Sequence, residues 1–300
     1  MTESETPQTN KTGKTHAAHA GKRLRIARRI VQVLALVIFA VPTLVAGFGL
    51  FGMWPLASEL QVETPAQEVF FGTLSSSSVF GVTLLDPFAV LQIMAASKTF
   101  CLAWLIGAIP VLLVYGLIRG RAFCGWVCPV NFLLEGIDFL RKKIGFKVPE
   151  MPVPRHAKCY VALGVLVLSA VLSFPVFEAI SPISFINKGI VLGSVVGLAT
   201  LITIVLAELF LGHRIWCRSL CPLGGVYEVL GKVGLVNIKI DHNACIACNK
   251  CKQACLCDPA ILDAPVSGET NAVCAGDCML CGKCIEHCPT NALSVGVGRK

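Results

Sequence analysis

Long apolar runs alternate with shorter polar segments through the first two-thirds of the chain. Four of these runs are almost free of charge, at about 30–52, 99–117, 159–180 and 189–212. A helix needs about 20 residues to cross a hydrocarbon core, so the pattern predicts four transmembrane helices. Buried helices of a large water-soluble core fit less well. A cleaved signal peptide over 22–52 also fits less well, because its apolar core is too long and it lacks a clear cleavage site.

Basic residues collect on one side of the predicted spans. They are frequent in the tail 1–29 and between the second and third runs, whereas the segment 53–97 carries acidic residues and no lysine or arginine. The positive-inside rule then predicts that both termini face the cytoplasm, as in a multi-pass protein of the bacterial inner membrane. The net charge of +8 is explained by this topology and by contact with membrane lipid, and it requires no nucleic-acid partner.

The composition adds a thiol-rich region to this picture. The chain has 300 residues, of which 55% are hydrophobic and 15% charged, and it contains 16 cysteines. Soluble globular proteins carry about 25% charged residues, and the disulfide-dense secreted domains are much shorter chains. The composition therefore favours a membrane protein with a separate cluster of cysteines.

A repeated motif ends the second and fourth apolar runs. A cysteine pair with three intervening residues precedes a proline at 124–129 and again at 217–222, 93 positions later, and an arginine and a glutamate recur at the same offset. We therefore expect a duplicated two-helix unit, with the chain turning at each proline. The thiols are candidates for a redox or metal site or for the wall of a quinone pocket. A buried structural corner with small apolar cysteines is the alternative. The four thiols are Cys124, Cys128, Cys217 and Cys221.

The strongest signal is a pair of four-cysteine runs near the C-terminus, 33 positions apart. The first run is Cys245, Cys248, Cys251 and Cys255, and the second is Cys278, Cys281, Cys284 and Cys288. In two-cluster ferredoxins the fourth cysteine of each run binds the cluster of the other run. This predicts two [4Fe-4S] clusters. One is held by Cys245, Cys248, Cys251 and Cys288, and the other by Cys278, Cys281, Cys284 and Cys255.

Two alternatives apply to these cysteines. Zinc also binds paired cysteines, but its ribbons use two separated pairs rather than two four-cysteine runs. Leu256 stands where such runs usually have proline, and Cys257 follows it, so that Cys257 could replace Cys255 as a ligand. The repeat favours Cys255, because Thr290 is the counterpart of Cys257. The remaining cysteines at 101, 159 and 274 are expected to pack rather than ligate.

The region around the runs has the pattern of a small α+β ferredoxin. Val236–Ile240 alternates like a strand and could pair with Leu293–Val297, whereas 258–273 is expected to be an exposed loop. The predicted fold is therefore an all-α membrane domain at 30–235, of four transmembrane helices built as a duplicated two-helix unit. A basic tail at 1–29 precedes it, and a small α+β ferredoxin domain with two [4Fe-4S] clusters at 236–300 follows it.

The motifs restrict the chemistry to one-electron transfer. The chain has no haem-attachment motif, no dinucleotide-binding glycine motif and no phosphate-binding loop. A quinol is the donor that best suits a membrane domain next to iron–sulfur clusters, which exchange single electrons. Glu208 is a candidate for proton handling, with pairing to Arg214 or His213 as the alternative. Glu135 and Glu228 gain interest from their repeat positions, and the apolar segment 69–86 could cover a quinone pocket.

The paired motifs and the two cysteine runs together resemble the NapH/MauN family of ferredoxin-type membrane proteins, over about 22–297. The resemblance implies a quinol dehydrogenase component that works with the quinone pool and a periplasmic iron–sulfur protein. Electrons would then flow towards a periplasmic reductase such as nitrate reductase. The alternatives are redox sensing, maturation of a periplasmic metalloenzyme and assembly of an amine dehydrogenase. Whether the chain is itself an enzyme stays open.

Overall fold

The computed structural model describes residues 21–38, 70–72, 76–79, 82–145, 154, 156–185 and 195–298. Helix α1 covers 21–38. A small antiparallel sheet follows, with strands β1 Phe70–Gly72, β2 Ser76–Val79 and β3 Val82–Leu85. The next helices are α2 Pro87–Ser97, α3 Leu102–Ile118, α4 Ala122–Trp126, α5 Pro129–Ile144, α6 Ala157–Leu172, α7 Val176–Ile180, α8 Pro182–Ser184, α9 Val195–Phe210 and α10 Pro222–Gly231. A π-helical turn, Trp216–Leu220, precedes α10.

The prediction of four transmembrane helices is wrong. Within the described ranges, no helix is both long enough and apolar enough to span a membrane. Helix α3 has 17 residues, about 25 Å at 1.5 Å per residue, and α9 has 16. The run at 159–180 is interrupted by Ser173, which ends α6 in a left-handed conformation. The first run is described only as far as residue 38. The structure therefore does not support the transmembrane and inner-membrane assignments.

Each cysteine–proline motif turns the chain and starts a new helix. Cys128 and Cys221 have extended backbones and cap α5 and α10, and Pro129 and Pro222 take the first helical positions. Proline suits that position because its fixed φ is already helical and the missing N–H would have had no helical partner. The turn is as predicted, but the prolines begin helices as well as ending the motifs.

The helices around the motifs share one apolar core. Phe88, Leu134 and Tyr227 are fully buried in it, and Cys128 is buried among them. Many other apolar side chains remain on the outer surfaces of the helices. Tyr160 on α6 is 74% exposed and Phe139 on α5 is 72% exposed. The apolar excess of the sequence therefore exceeds what this core encloses.

The C-terminal region has the predicted strand pair. Strands β4 Val236–Ile240 and β5 Leu293–Val297 are antiparallel, with Ile238 opposite Val295. The other elements are α11 Lys250–Gln253, a 3₁₀ turn at Pro259–Leu262, α12 Asp263–Ser267 and α13 Lys283–Glu286. The expectation of an exposed loop over 258–273 is wrong, because Ile261 and Leu262 are buried in the C-terminal core. The Val273 N–H also donates to the Ile238 carbonyl at 2.8 Å.

Candidate functional site

Two cavities in the C-terminal region are lined by the cysteine runs. The outer thiol cavity, about 20 Å³, is lined by Cys245, Cys248, Cys251 and Cys288. The inner thiol cavity, also about 20 Å³, is lined by Cys255, Cys257, Cys278, Cys281 and Cys284. The structure therefore places the fourth cysteine of each run beside the other run, as the predicted ligand sets require. Both Cys255 and Cys257 reach the inner cavity.

The backbone of the two runs repeats as closely as their sequence does. Ala247 and Leu280 have φ values of 48° and 50°, and Asn249 and Gly282 have values of 58° and 72°. The two members of each pair are 33 positions apart. Ala247 and Leu280 lie two residues after the first cysteine of their runs, and Asn249 and Gly282 lie directly after the second. Left-handed residues bend the chain sharply. The chain therefore curls around each cavity and turns three cysteines towards it.

The spacing of the sulfur atoms distinguishes a cluster from a single ion. Four thiolates around one zinc ion at about 2.3 Å lie about 3.8 Å from one another. Across the described ranges, no three cysteine sulfurs lie within 4.8 Å of one another. In a [4Fe-4S] cluster the four thiolates surround a whole cube. The donor sets of both cavities therefore fit a [4Fe-4S] cluster better than a single zinc ion.

Burial governs the protonation of these thiols. It raises the pKa of Cys278 to about 12, and it raises the pKa of Cys284 well above the ordinary value. Cys257 differs, because a hydrogen bond from Cys255 and the nearby Arg121 guanidinium lower its pKa in spite of burial. Coordination by a metal deprotonates thiols that are otherwise held neutral. The buried cysteines are therefore suited to hold a cluster and unsuited to act as free thiolates.

A third cavity lies where the two repeated motifs meet. This paired-motif cavity, about 20 Å³, is lined by Cys124, Cys128, Cys217 and Cys221 together with Arg121. Every pair among the four thiols is close enough to interact electrostatically. The 93-residue offset indicates two copies of a motif, but it carries no signal that the copies face each other. The convergence follows from the packing of the helices.

The repeated arginines cross between the two halves. Arg121 donates from Nη2 to the carbonyl of Cys217 at 2.9 Å, and from Nη1 to Asp277 Oδ1 at 3.0 Å. Arg214 donates to Asn131 and, at 3.2 Å, to Asp138 Oδ2. Both arginine side chains are almost fully buried. Each motif is therefore fastened to the opposite half of the repeat by a buried arginine.

A larger cavity in the described part of the chain is mostly apolar. This apolar cavity, about 510 Å³, is lined mainly by side chains of α1, α3 and α10 and by residues 84–86. Its polar groups include Asp86, Tyr115 and Tyr227. Four residues line both this cavity and the paired-motif cavity, which therefore share a wall: Phe123, Phe177, Ile183 and Leu223. The two tyrosines lie in no motif, so only the structure identifies them.

Asp86 is the most perturbed carboxyl group at the apolar cavity. Burial raises its pKa to about 7, against the effect of the Phe88 N–H, which donates to it at 3.0 Å. Glu178 also faces it and raises its pKa further. Burial raises the pKa of Tyr115 to about 12. The cavity therefore holds one carboxyl group able to exchange a proton near neutral pH and two phenols that stay protonated.

Glu208 lines neither the paired-motif cavity nor the apolar cavity. Its carboxylate accepts the backbone N–H of Arg214 at 2.9 Å and 2.8 Å, and His213 lies 3.7 Å from it. The structure thus shows Glu208 paired with Arg214 and His213, which was the alternative to a role in proton handling. Glu135 and Glu228 are also buried in ion pairs, with Arg28 and with Lys158. None of the three glutamates lines a cavity described above.

The C-terminal region is seated directly on the first motif. Trp126 donates from Nε1 to the Leu280 carbonyl at 3.1 Å, and Arg119 donates to the Val273 carbonyl at 2.9 Å. Gly125 packs so closely that a Cβ there would lie 2.4 Å from the Met279 carbonyl oxygen. The segment that lines the inner thiol cavity therefore packs directly against the first motif, which lines the paired-motif cavity.

Known proteins share these features. A family model described as a 4Fe-4S binding domain matches 100–147 and 194–241, and another with the same description matches 275–294. The ferredoxin-type protein NapH of Escherichia coli K12 is 31% identical over 231 residues, 76% of this chain and 80% of that protein. The methylamine utilization ferredoxin-type protein MauN of Methylorubrum extorquens is 30% identical over 271 residues, 89% and 87% of the two chains. No solved structure matches significantly.

These matches and the thiol cavities define an iron–sulfur electron-transfer protein of the ferredoxin type. A second MauN, from Methylobacillus flagellatus, is 31% identical over 94% of this chain and 93% of its own length. The chain belongs to the NapH/MauN family of ferredoxin-type proteins.

Proposed function

We propose that this protein oxidises a quinol in the apolar cavity and delivers the electrons to a partner iron–sulfur protein. The observation that carries the proposal is the position of that cavity. It is large and apolar, it contains a carboxyl group with a pKa of about 7, and it shares a wall with a thiol-lined site. Ligand pockets of this kind combine mostly apolar walls with a few placed polar groups.

The cavity residues divide the work of binding a quinol. Ala35, Leu84 and Val114 supply apolar wall for the ring and its tail. Tyr115 and Tyr227 pack edge to face, with ring centroids 5.7 Å apart. Because burial keeps both phenols protonated, each can donate a hydrogen bond to a quinol or quinone oxygen. The phenols therefore orient the head group without taking its protons.

Asp86 is the proton acceptor in this proposal. A quinol loses two protons and two electrons when it becomes a quinone. The Asp86 carboxylate takes one proton in each transfer and passes it towards Glu178, which faces it and accepts a hydrogen bond from Ser184 Oγ at 2.7 Å. Two such transfers balance the two protons. Clusters bound in the thiol cavities would accept the two electrons one at a time.

The linings of the two thiol cavities support a ligand set for each of two clusters. Cys245, Cys248, Cys251 and Cys288 would hold one [4Fe-4S] cluster. Cys278, Cys281, Cys284 and Cys255 would hold the other. The electrons would leave towards a terminal reductase such as nitrate reductase. A role in maturation or assembly, for example of an amine dehydrogenase, is favoured by the relatives whose name refers to methylamine utilization.

Filling the apolar cavity tests the proposal. Ala35 is buried on α1 and lines the cavity, whereas Ala27 is exposed on the same helix. We expect Ala35→Phe to raise the concentration of a menaquinol analogue needed to reduce the clusters by about tenfold or more, because overpacking costs about 1–3 kcal/mol. Ala27→Phe should behave like the wild type, and dithionite should reduce the clusters in all three proteins.

The readout is the electron paramagnetic resonance signal of reduced clusters in anaerobically purified protein. Wild-type clusters that stay oxidised with the quinol, but are reduced by dithionite, would overturn quinol oxidation. Equal response of the Ala35→Phe and Ala27→Phe variants would overturn the location of the site. Clusters that ignore quinol, together with loss of a periplasmic enzyme's maturation in cells lacking this protein, would favour the alternative role.

A further inference from the structure

We propose that the paired-motif cavity is a third iron–sulfur site, in which one cluster is shared between the two halves of the repeat. Cys124 and Cys128 come from one motif and Cys217 and Cys221 from the other, and all four line the same cavity. Neither half carries enough thiols at its motif to hold a cluster alone. The family models match the halves separately, whereas the geometry requires both halves for one site.

This cavity resembles the two ferredoxin cavities in its size and in its lining. It measures about 20 Å³, as each of them does, and it is lined by four cysteines. No three of its sulfurs lie within 4.8 Å of one another, which is wider than the roughly 3.8 Å between thiolates on a single zinc ion. The four thiols are therefore spaced more widely than a single zinc ion requires, as they are in the ferredoxin region.

The charges around the cavity suit an anionic group. A cluster with four thiolate ligands has a net negative charge, which buried surroundings tolerate only when it is compensated. Arg121 lines the cavity, and its guanidinium interacts with both Cys124 and Cys217. A cluster in the cavity would place its negative charge beside this buried cation.

Two different structures keep the four thiols in place. The π-helical turn Trp216–Leu220 carries Cys217, whereas the helical turn Ala122–Trp126 carries Cys124. Cys128 and Cys221 each stand at the start of a proline-led helix. Turns of the π type are rare and are often found at functional sites. The two motifs thus present their thiols to the cavity from two separate segments of the chain.

The position of the third site gives it a role as a relay. It shares a wall with the apolar cavity through Phe123 and Leu223. On the other side, Cys124 interacts with Cys257, which lines the inner thiol cavity. A cluster here would lie between the quinol and the ferredoxin clusters. The relay role rests on the proposed quinol oxidation, but the binding of a cluster does not.

Iron and acid-labile sulfide per chain test the binding directly. We expect about twelve iron atoms per chain in anaerobically purified wild-type protein, since three [4Fe-4S] clusters would each bring four. Cys128→Ser and Cys221→Ser, one variant from each half, should each lose about four of them. Cys101→Ser alters a cysteine that lines none of the three thiol cavities, and it should keep all twelve.

Several outcomes would overturn the third cluster. About eight iron atoms per wild-type chain would do so, and so would unchanged iron content in either motif variant. One zinc ion per chain in addition to eight irons would identify a zinc site instead. If both variants fail to fold, Mössbauer spectroscopy of the wild type still decides between two and three clusters. Failure of quinol oxidation alone would leave the iron count unchanged, so the two proposals can fail separately.

Discussion

At the scale of single residues, Cys255 and Cys257 compete for one ligand position in the inner thiol cavity. The backbone favours Cys255, because its N–H donates to the carbonyl of Lys252 as the Cys288 N–H donates to that of Ile285, 33 positions later. Cys257 is more deeply buried and faces Arg121. We therefore expect Cys255→Ser to lose about four irons and Cys257→Ser to lose none. The reverse pattern in iron analysis would reassign the ligand.

Asp86 should set a pH dependence for the proposed quinol oxidation. Its pKa of about 7 means that the carboxylate, the form that accepts a proton, becomes populated as the pH rises through 7. The rate of cluster reduction by quinol should therefore rise between about pH 6 and pH 8. Asp86→Asn should reduce the rate about 10²–10⁴-fold and abolish this rise. The groups that face Asp86, namely Glu178 and Tyr227, remain in the variant.

A structural role for Asp86 predicts a different result. Asparagine can still cap the N–H of Phe88 at the start of α2, so a role limited to capping would leave both the rate and its pH profile unchanged. The raised pKa also means that ionising Asp86 costs folding free energy as the pH rises through 7. Asp86→Asn should thus be at least as stable as the wild type at pH 8, as measured by thermal unfolding.

At the scale of elements, α1 is held to α5 by a buried ion pair. Arg28 donates from Nη2 to Glu135 Oε2 at 2.9 Å, and both side chains are 1% exposed. Burial opposes ionisation of Glu135, but hydrogen bonds from Arg28 lower its pKa below the ordinary value. The charged pair should persist until the pH falls through that lowered pKa, and its contribution to stability is lost below it.

Breaking this pair should be costly. Glu135→Ala leaves Arg28 buried without its partner, which typically costs about 3–5 kcal/mol of unfolding free energy. Glu269 is exposed near the end of α12, and Glu269→Ala should change stability by less than about 0.5 kcal/mol. Urea unfolding followed by circular dichroism compares the two variants. A small loss in Glu135→Ala would mean that water reaches Arg28 when the carboxylate is removed.

The contact between α4 and the C-terminal region depends on a glycine. A Cβ at Gly125 would lie 2.4 Å from the Met279 carbonyl oxygen, whereas a Cβ at Gly136 on α5 would meet nothing within 4 Å. Gly125→Ala should therefore loosen the docking, with faster hydrogen exchange at Met279 and Leu280. Gly136→Ala should leave that exchange unchanged and stabilise α5 by up to about 1 kcal/mol. Equal protection in the two variants would show that the loop yields without undocking.

At the scale of the whole molecule, the sequence predicts what is local and misses what depends on packing. The cysteine spacing of the two runs, the alternation of β4 and β5 and the turns at Cys128 and Cys221 are each encoded by residues close together in the sequence. Helix lengths are not encoded in this local way, because Ser173 interrupts an apolar run that hydropathy alone predicts to be continuous. The apolar cavity is also invisible in the sequence, since its lining comes from α1, α3, α10 and residues 84–86, and no pattern along the chain encodes their meeting.

The order of the cavities yields a final prediction. Cys284 of the inner cavity interacts with Cys251 of the outer one, and the inner cavity adjoins the first motif through Cys257 and Arg121. Cys248 of the outer cavity is exposed to solvent, so we expect electrons from the proposed quinol oxidation to reach the outer cluster through the inner one. Cys281→Ala should remove the inner cluster, with a loss of about four irons, and should leave the outer cluster bound.

In that variant the outer cluster should be reduced by dithionite but not by quinol, as followed by electron paramagnetic resonance. Ser267→Ala, at an exposed position in α12, is the control and should keep both clusters and their response to quinol. Normal reduction of the outer cluster by quinol in the Cys281→Ala variant would show that electrons enter the ferredoxin region elsewhere. Retention of both clusters would instead contradict the assignment of Cys281 as a ligand. The two failures are separable because iron content and reducibility are measured on the same sample.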